Sequence, residues 1–175
     1  MIAIDTQILV FAHRGETPWH ERARDCIAEL ANSGARWAIP LHCLVEMYGI
    51  ITHPRVYRPS STPQQAIDQI DAWLESPTLV VLSDDPRTWA TLRGLLAAGR
   101  VTGPACHDAR IAAVCLQHGV TELWTNDRDF LRYPALRTRN PLVDVQPGRA
   151  GERRVRYRAT AGGTTRSRNP STARS

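Results

Sequence analysis

Four short apolar runs, each flanked by stretches of helical pattern, constrain this chain more than any other feature. They are Ile2–Ile4, residues 37–39 (Trp-Ala-Ile), Leu79–Leu82 and residues 123–125 (Leu-Trp-Thr). A run this short and nearly free of polar residues forms a strand only if both of its faces are covered. Helices between such strands supply that cover, and the regular alternation predicts an α/β fold with a parallel sheet between two helical layers. The helical stretches are residues 6–13, then a segment with Pro18 in its first turn and Ala23, Ile27 and Leu30 on its stripe, ending near Gly34. Next come Leu41–Thr52, closed by Pro54, and a segment opened by Pro63 with Ile67, Ile70 and Leu74 spaced for one face. A helix after Asp85-Pro86 ends at Gly99, and another over residues 108–118 ends at Gly119. A short helix and a final strand near Leu142 and Val143 are expected to close the domain.

Charge divides the chain in two. All 22 basic residues are arginine, and eight of them lie in residues 146–175 with a single acid, so that segment carries +7 and residues 1–145 carry −2. The reading is a folded domain over 1–145 and a basic, disordered tail over 146–175, poor in large apolar residues. The tail reads either as an electrostatic RNA-binding arm or as a dispensable extension, and the second is favoured. Four cysteines (26, 43, 106, 115) without paired short spacing predict reduced, partly buried thiols. The first residues lack a basic segment ahead of an apolar one, and no stretch is long and apolar enough to span a bilayer, so a soluble cytoplasmic protein is expected.

The acids carry the chemistry. Asp5 ends the first strand, where it can cap the following helix or serve a ligand beyond the carboxyl end of the sheet. Asp127 stands in the same relation to the strand that ends at Thr125. Glu46 is the one acid in LHCLVEMYGIIT, a helix apolar nearly all round and therefore expected to be buried, where a carboxylate must meet an arginine, a proton or a cation. Asp108 can be an N-cap, but it shares a stripe with Ile111, Ala112 and Cys115. Asp129 reads as the cap of the turn DFLRY. Two carboxylates ~4 Å apart repel by about 4 kcal/mol at an effective dielectric of about 20. If they converge, they therefore take up protons or recruit a hard divalent ion, Mg²⁺ or Mn²⁺.

In order along the chain, IAIDTQILVFA, LVEMYGIITHPRV, GLLAAGRVTGPACHDARIAA, TNDRDF and RNPL resemble the PIN-domain nucleases, and among them the VapC-type toxins. The resemblance covers about residues 1–145 and implies a three-layer α/β/α fold. It further implies metal-dependent endonuclease activity on RNA, a homodimer, and inhibition by a VapB-type antitoxin. The family's acidic quartet falls on Asp5, Glu46, Asp108 and Asp127, as metal ligands and catalytic groups. Asp5, Asp108 and Asp127 would hold Mg²⁺ or Mn²⁺, and Glu46 would complete the shell or orient the attacking water. Asp129 matches a further acid of less settled role. The basic tail has no counterpart in the pattern.

Competing readings are weaker on their residues. Cys106-His107 offers an adjacent pair, whereas catalytic partners usually meet through the fold. Cys106, Cys115 and His118 match no common zinc spacing. The five dispersed tryptophans favour core packing over a base-stacking platform. A PIN fold kept as a non-catalytic binding module, or a housekeeping RNA-processing nuclease, are the alternatives at the level of function.

Overall fold

The structure, a computed structural model, describes residues 1–143. The tail expected to be disordered, and the boundary placed at residue 145, lie outside the described residues. Five strands form one all-parallel sheet in the order β3-β2-β1-β4-β5: β1 Ile2–Ile4, β2 Trp37–Pro40, β3 Leu79–Leu82, β4 Glu122–Trp124 and β5 Thr138–Arg139. Register is set by Ile2 opposite Trp37 on one side and Ile4 opposite Trp124 on the other. The central strand, β1, is the earliest in the chain, and its Ala3 and Ile4 are fully buried.

Six helices cover the sheet: α1 Thr6–His13, α2 His20–Asn32, α3 Leu41–Thr52, α4 Pro63–Leu74, α5 Thr88–Ala98 and α6 Cys106–Gln117. From β1 to β2 to β3 the chain moves one way across the sheet, and from β3 it returns past β1 to β4. Crossovers between parallel strands are right-handed, so that reversal moves the helices to the other face. The packing agrees: α1 contacts α2 and α3, and α3 contacts α4, whereas α5 packs on α6. The chain therefore leaves β1 and β4, which are neighbours, toward opposite faces. A crevice opens between their carboxyl ends, the place where open parallel sheets bind ligands.

Local sequence accounts for several element ends. Thr62 and Gln65 form a reciprocal capping box, with Pro63 opening α4. Gly34 and Gly119 take positive φ just beyond α2 and α6. Gly99 caps α5 at negative φ, and the left-handed position falls instead on Arg100, at φ 47°.

Several expectations need correction. α2 begins at His20, with Pro18 in the turn before it. The last strand is Thr138–Arg139, paired with β4, while Leu142 and Val143 lie in a turn. Here Arg139 stacks over the Trp124 ring, so a polar segment forms the edge strand by covering an aromatic. On α4 the buried side chains are Ala66 and Trp73, whereas Ile67 and Leu74 are exposed. Nor is α3 buried all round, since Leu41 and Val45 are 47% and 62% exposed. The tryptophans divide: 37, 73 and 124 are core residues, 19 and 89 are exposed.

Candidate metal centre

Each sequence-derived acid arrives at the crevice on a different element. Asp5 follows β1 and Asp127 follows β4, while Glu46 sits in the second turn of α3 and Asp108 in the first turn of α6. Because α6 runs back toward the start of β4, its N-terminus lies at the carboxyl edge of the sheet, beside the starts of α1 and α3. The result is an open cleft of about 350 Å³ lined by Asp5, Glu46, Asp108 and Asp127, with Thr6, Asn126, Arg128 and Phe130 among its other walls. All four predicted acids are therefore brought together.

Asp5 caps α1 and also lines the cleft. One carboxylate oxygen accepts from the Thr6 N–H at 2.8 Å, capping α1, and the other accepts from the Thr125 hydroxyl at 2.7 Å. Thr125 Oγ1 in turn accepts from the Asp127 N–H at 2.9 Å, so a single hydroxyl ties the two strand ends together. Asp5 is only 4% exposed, and burial pushes its pKa up to about 7 against the lowering effect of those hydrogen bonds. The nearby Glu46 and Asp108 charges push in the same upward direction.

Among the described residues Glu46 meets no arginine, and its site is not fully buried. It is half-buried, and the Thr6 hydroxyl donates to its Oε2 at 2.6 Å. Its helix was expected to be enclosed, but the exposed Leu41 and Val45 leave one face open. Asp108 is not the cap of α6, which starts two residues earlier. Its pKa is raised to about 6, first by burial and then by Asp127, Asp129 and Glu46.

The capping role expected of Asp129 falls to Asp127. Asp127 caps the 3-10 helix Arg128–Arg132, its side chain accepting from the Asp129 N–H at 2.8 Å. That frees the Asp129 carboxylate, which pairs with Arg132 at 3.5 Å. Carboxylate oxygens of Asp108, Asp127 and Asp129 come within 4.8 Å of one another, the one such cluster among the described residues. The zinc reading has no geometric support: Cys115 is buried, and the His118 ring contacts the Ser83 carbonyl. All four cysteines are free thiols.

The donor set tests the fit of a metal. Every candidate ligand is a carboxylate oxygen, which suits a hard divalent cation. Burial and their neighbours' charge push Asp5 up to about 7 and Asp108 up to about 6. A bound cation would offset both by favouring the ionised carboxylates.

The sequence profile of the PIN domain family matches residues 2–136. The chain belongs to the PIN-domain family. Among its relatives are a VapC ribonuclease of Mycobacterium bovis and ribonuclease VapC43 of Mycobacterium tuberculosis. Each is 32% identical over 142 residues, covering 81% of this chain and 96% of the relative. The same sheet and helix arrangement recurs in the crystal structure of VapBC2 from Rickettsia felis bound to promoter DNA, at 22% identity and TM-score 0.57 over 79% of this chain and 98% of that one. It recurs also in VapC20 of M. tuberculosis, described as a sarcin-ricin loop cleaving toxin, at 16% identity and TM-score 0.57 over 76% and 95%.

Sequence reading missed Thr6, Thr125 and Arg128 in this PIN domain. Their signal was present: Thr6 directly follows Asp5, and Thr125 and Arg128 bracket Asp127 in TNDRDF. Short hydroxylic residues beside strand-end acids are what hold those acids in place.

Proposed function

We propose that this PIN domain is a metal-dependent endoribonuclease and the toxin of a VapBC pair. The observation that carries the reading is the convergence of Asp5, Glu46, Asp108 and Asp127, from four separated segments, on one open cleft at the switch point of the sheet. The 32% identity to VapC ribonucleases over most of both chains supports the same activity here. Asp108 and Asp127, with Asp5 behind them, would hold Mg²⁺ or Mn²⁺, and Asp129 would join them. Such an ion, when bound, lowers the pKa of a water and offsets charge on a phosphate.

The chain's own groups set the geometry around that chemistry. Thr125 fixes Asp5 against Asp127, and Thr6 fixes the Glu46 carboxylate toward the cleft, where it can accept a proton from a water aimed at phosphorus. By kinship with the VapC toxins, a VapB-type antitoxin and a second copy of the chain are the expected protein partners, and a cytoplasmic location is part of the same reading. The exposed Leu41 and Val45 on α3 leave apolar surface for such a partner to cover. Among the described residues no helix is long and apolar enough to cross a membrane.

The test is incubation of total cellular RNA with the wild type and with Asp108→Asn, in Mg²⁺ or Mn²⁺ and in EDTA. Discrete fragments from the wild type alone, abolished by EDTA, are expected. Full activity in a well-folded Asp108→Asn protein would end the proposal.

A further inference from the structure

A polyanion approaching this cleft meets five carboxylates, Asp5, Glu46, Asp108, Asp127 and Asp129, and must find positive charge to stay. Three arginines stand close enough in the fold to be considered. Arg110 is committed, since its Nε and a terminal nitrogen donate to Asp84 while another contacts His42 Nδ1 at 3.2 Å. Arg132 faces Asp129. Arg128 lines the cleft itself, is exposed, and makes no ion pair or side-chain hydrogen bond among the described residues.

An arginine beside a cluster of acids and bonded to none of them keeps all five N–H donors available. Its planar fork matches two phosphate oxygens at once, which a lysine cannot reproduce. The base of the side chain is also well held. Asp127, directly before it, donates its N–H to Thr125 Oγ1, and the Asp127 carboxylate accepts from the N–H of Asp129, directly after it. A long side chain rooted on a fixed segment at the rim can reach into the cleft or outward without disturbing the acids.

We propose that Arg128 is a substrate-binding residue: its guanidinium takes the non-bridging oxygens of an RNA phosphate at the mouth of the acidic cleft. This rests on the ribonuclease reading above and deepens it, by assigning the strand's backbone a protein contact separate from the metal. Arg128 contributes to holding RNA, and the acids contribute to holding the ion, so the two functions separate by mutation.

The experiment compares wild type, Arg128→Gln, Arg128→Lys and Arg93→Gln, the last removing an exposed arginine of α5 outside the cleft. Affinity for a fluorescein-labelled 2′-O-methyl RNA of mixed sequence is measured with Mn²⁺ over a range of salt, and Mn²⁺ affinity is measured without RNA. Arg128→Gln is expected to weaken RNA binding about 10-fold, as loss of a charge-assisted contact should, and to flatten the salt dependence by about 0.7 in log–log slope. Arg128→Lys keeps the slope but recovers only part of the affinity, and Arg93→Gln resembles wild type. Mn²⁺ affinity in Arg128→Gln stays equal or rises, because a positive neighbour of the acids has gone. Arg128→Gln and Arg93→Gln giving the same affinity and slope, with wild type binding RNA, would overturn the assignment alone. Wild type that binds Mn²⁺ but no RNA would overturn the ribonuclease reading and the assignment together, and would be recognised by the failure of every variant.

Discussion

Thr6 Oγ1 donates to Glu46 Oε2 at 2.6 Å, joining the first turn of α1 to the second turn of α3 across 40 residues of sequence. The backbone N–H of the same threonine donates to the Asp5 carboxylate, so one residue orients two of the four acids.

Thr6→Val keeps the shape and removes the hydroxyl. Glu46, half-exposed, can turn to water, so the fold should lose no more than about 1 kcal/mol. Activity should fall about 10–100-fold, the scale on which outer-shell contacts act. Unchanged cleavage rates in the valine variant would show that Glu46 needs no such anchor.

Metal-free stability should depend on pH in a particular direction. The folded pKa of Asp5, about 7, and that of Asp108, about 6, both lie above the ordinary 3.8. The folded state therefore binds more protons than the unfolded one between about pH 4 and pH 7, and stability falls as pH rises through that window, levelling above about 7. In EDTA the Tm should drop by roughly 5–10 °C from about pH 5 to about pH 8. Asp5→Asn should lose most of that slope, exceed the wild type in Tm at the higher pH, and be inactive. A flat wild-type profile in thermal melts would contradict the buried, proton-holding carboxylate.

Metal binding should oppose that trend, since protons and cation compete for the same oxygens. Mn²⁺ should raise Tm more at about pH 8 than at about pH 6, by an amount that grows with its concentration. Asp108→Asn and Asp129→Asn should each weaken Mn²⁺ binding by about 10-fold or more in calorimetric titration, on the scale by which metal-site neighbours act. Loss in the first variant with wild-type affinity in the second would leave Asp129 as nothing more than the partner of Arg132.

Arg100 holds a left-handed backbone, φ 47°, just beyond α5. Arg100→Gly removes the Cβ that this conformation crowds, and should stabilise the protein by about 1 kcal/mol, or roughly 2–4 °C in Tm. A lower Tm would mean that the arginine side chain contributes more than its backbone strain costs.

Strand positions were legible because both-face burial leaves a short, uninterrupted apolar signature, as in Ile2–Ile4 and Leu79–Leu82. The acids were legible because each interrupts or ends an apolar segment. The fifth strand was not, since Thr138 and Arg139 carry no apolar pattern and are held at the sheet edge by pairing with β4 and by the Arg139–Trp124 stack. The faces of α3 and α4 were misjudged for a related reason. Helical spacing identifies an apolar stripe, but the neighbours present in the fold decide whether it is covered, and Ile67, Leu74, Leu41 and Val45 remain open. Asp129 was taken for a cap because its sequence position allows one, whereas Asp127 reaches the free N–H first. Thr125 becomes visible only when it is brought against Asp5, 120 positions away, and Thr6 only when it meets Glu46, 40 positions away.

That separation has a consequence for a chain made from its N-terminus. β1 is synthesised before the other four strands described and lies in the middle of their sheet, so one of its edges stays unpaired until β4 emerges. Asp5 likewise waits for Thr125 to restrain it. A ribosome-bound or truncated chain ending before Glu122 would carry an open strand edge and half a cleft, prone to aggregate and unable to cut. Competence would be acquired at the close of folding, when the last buried strand docks against the first.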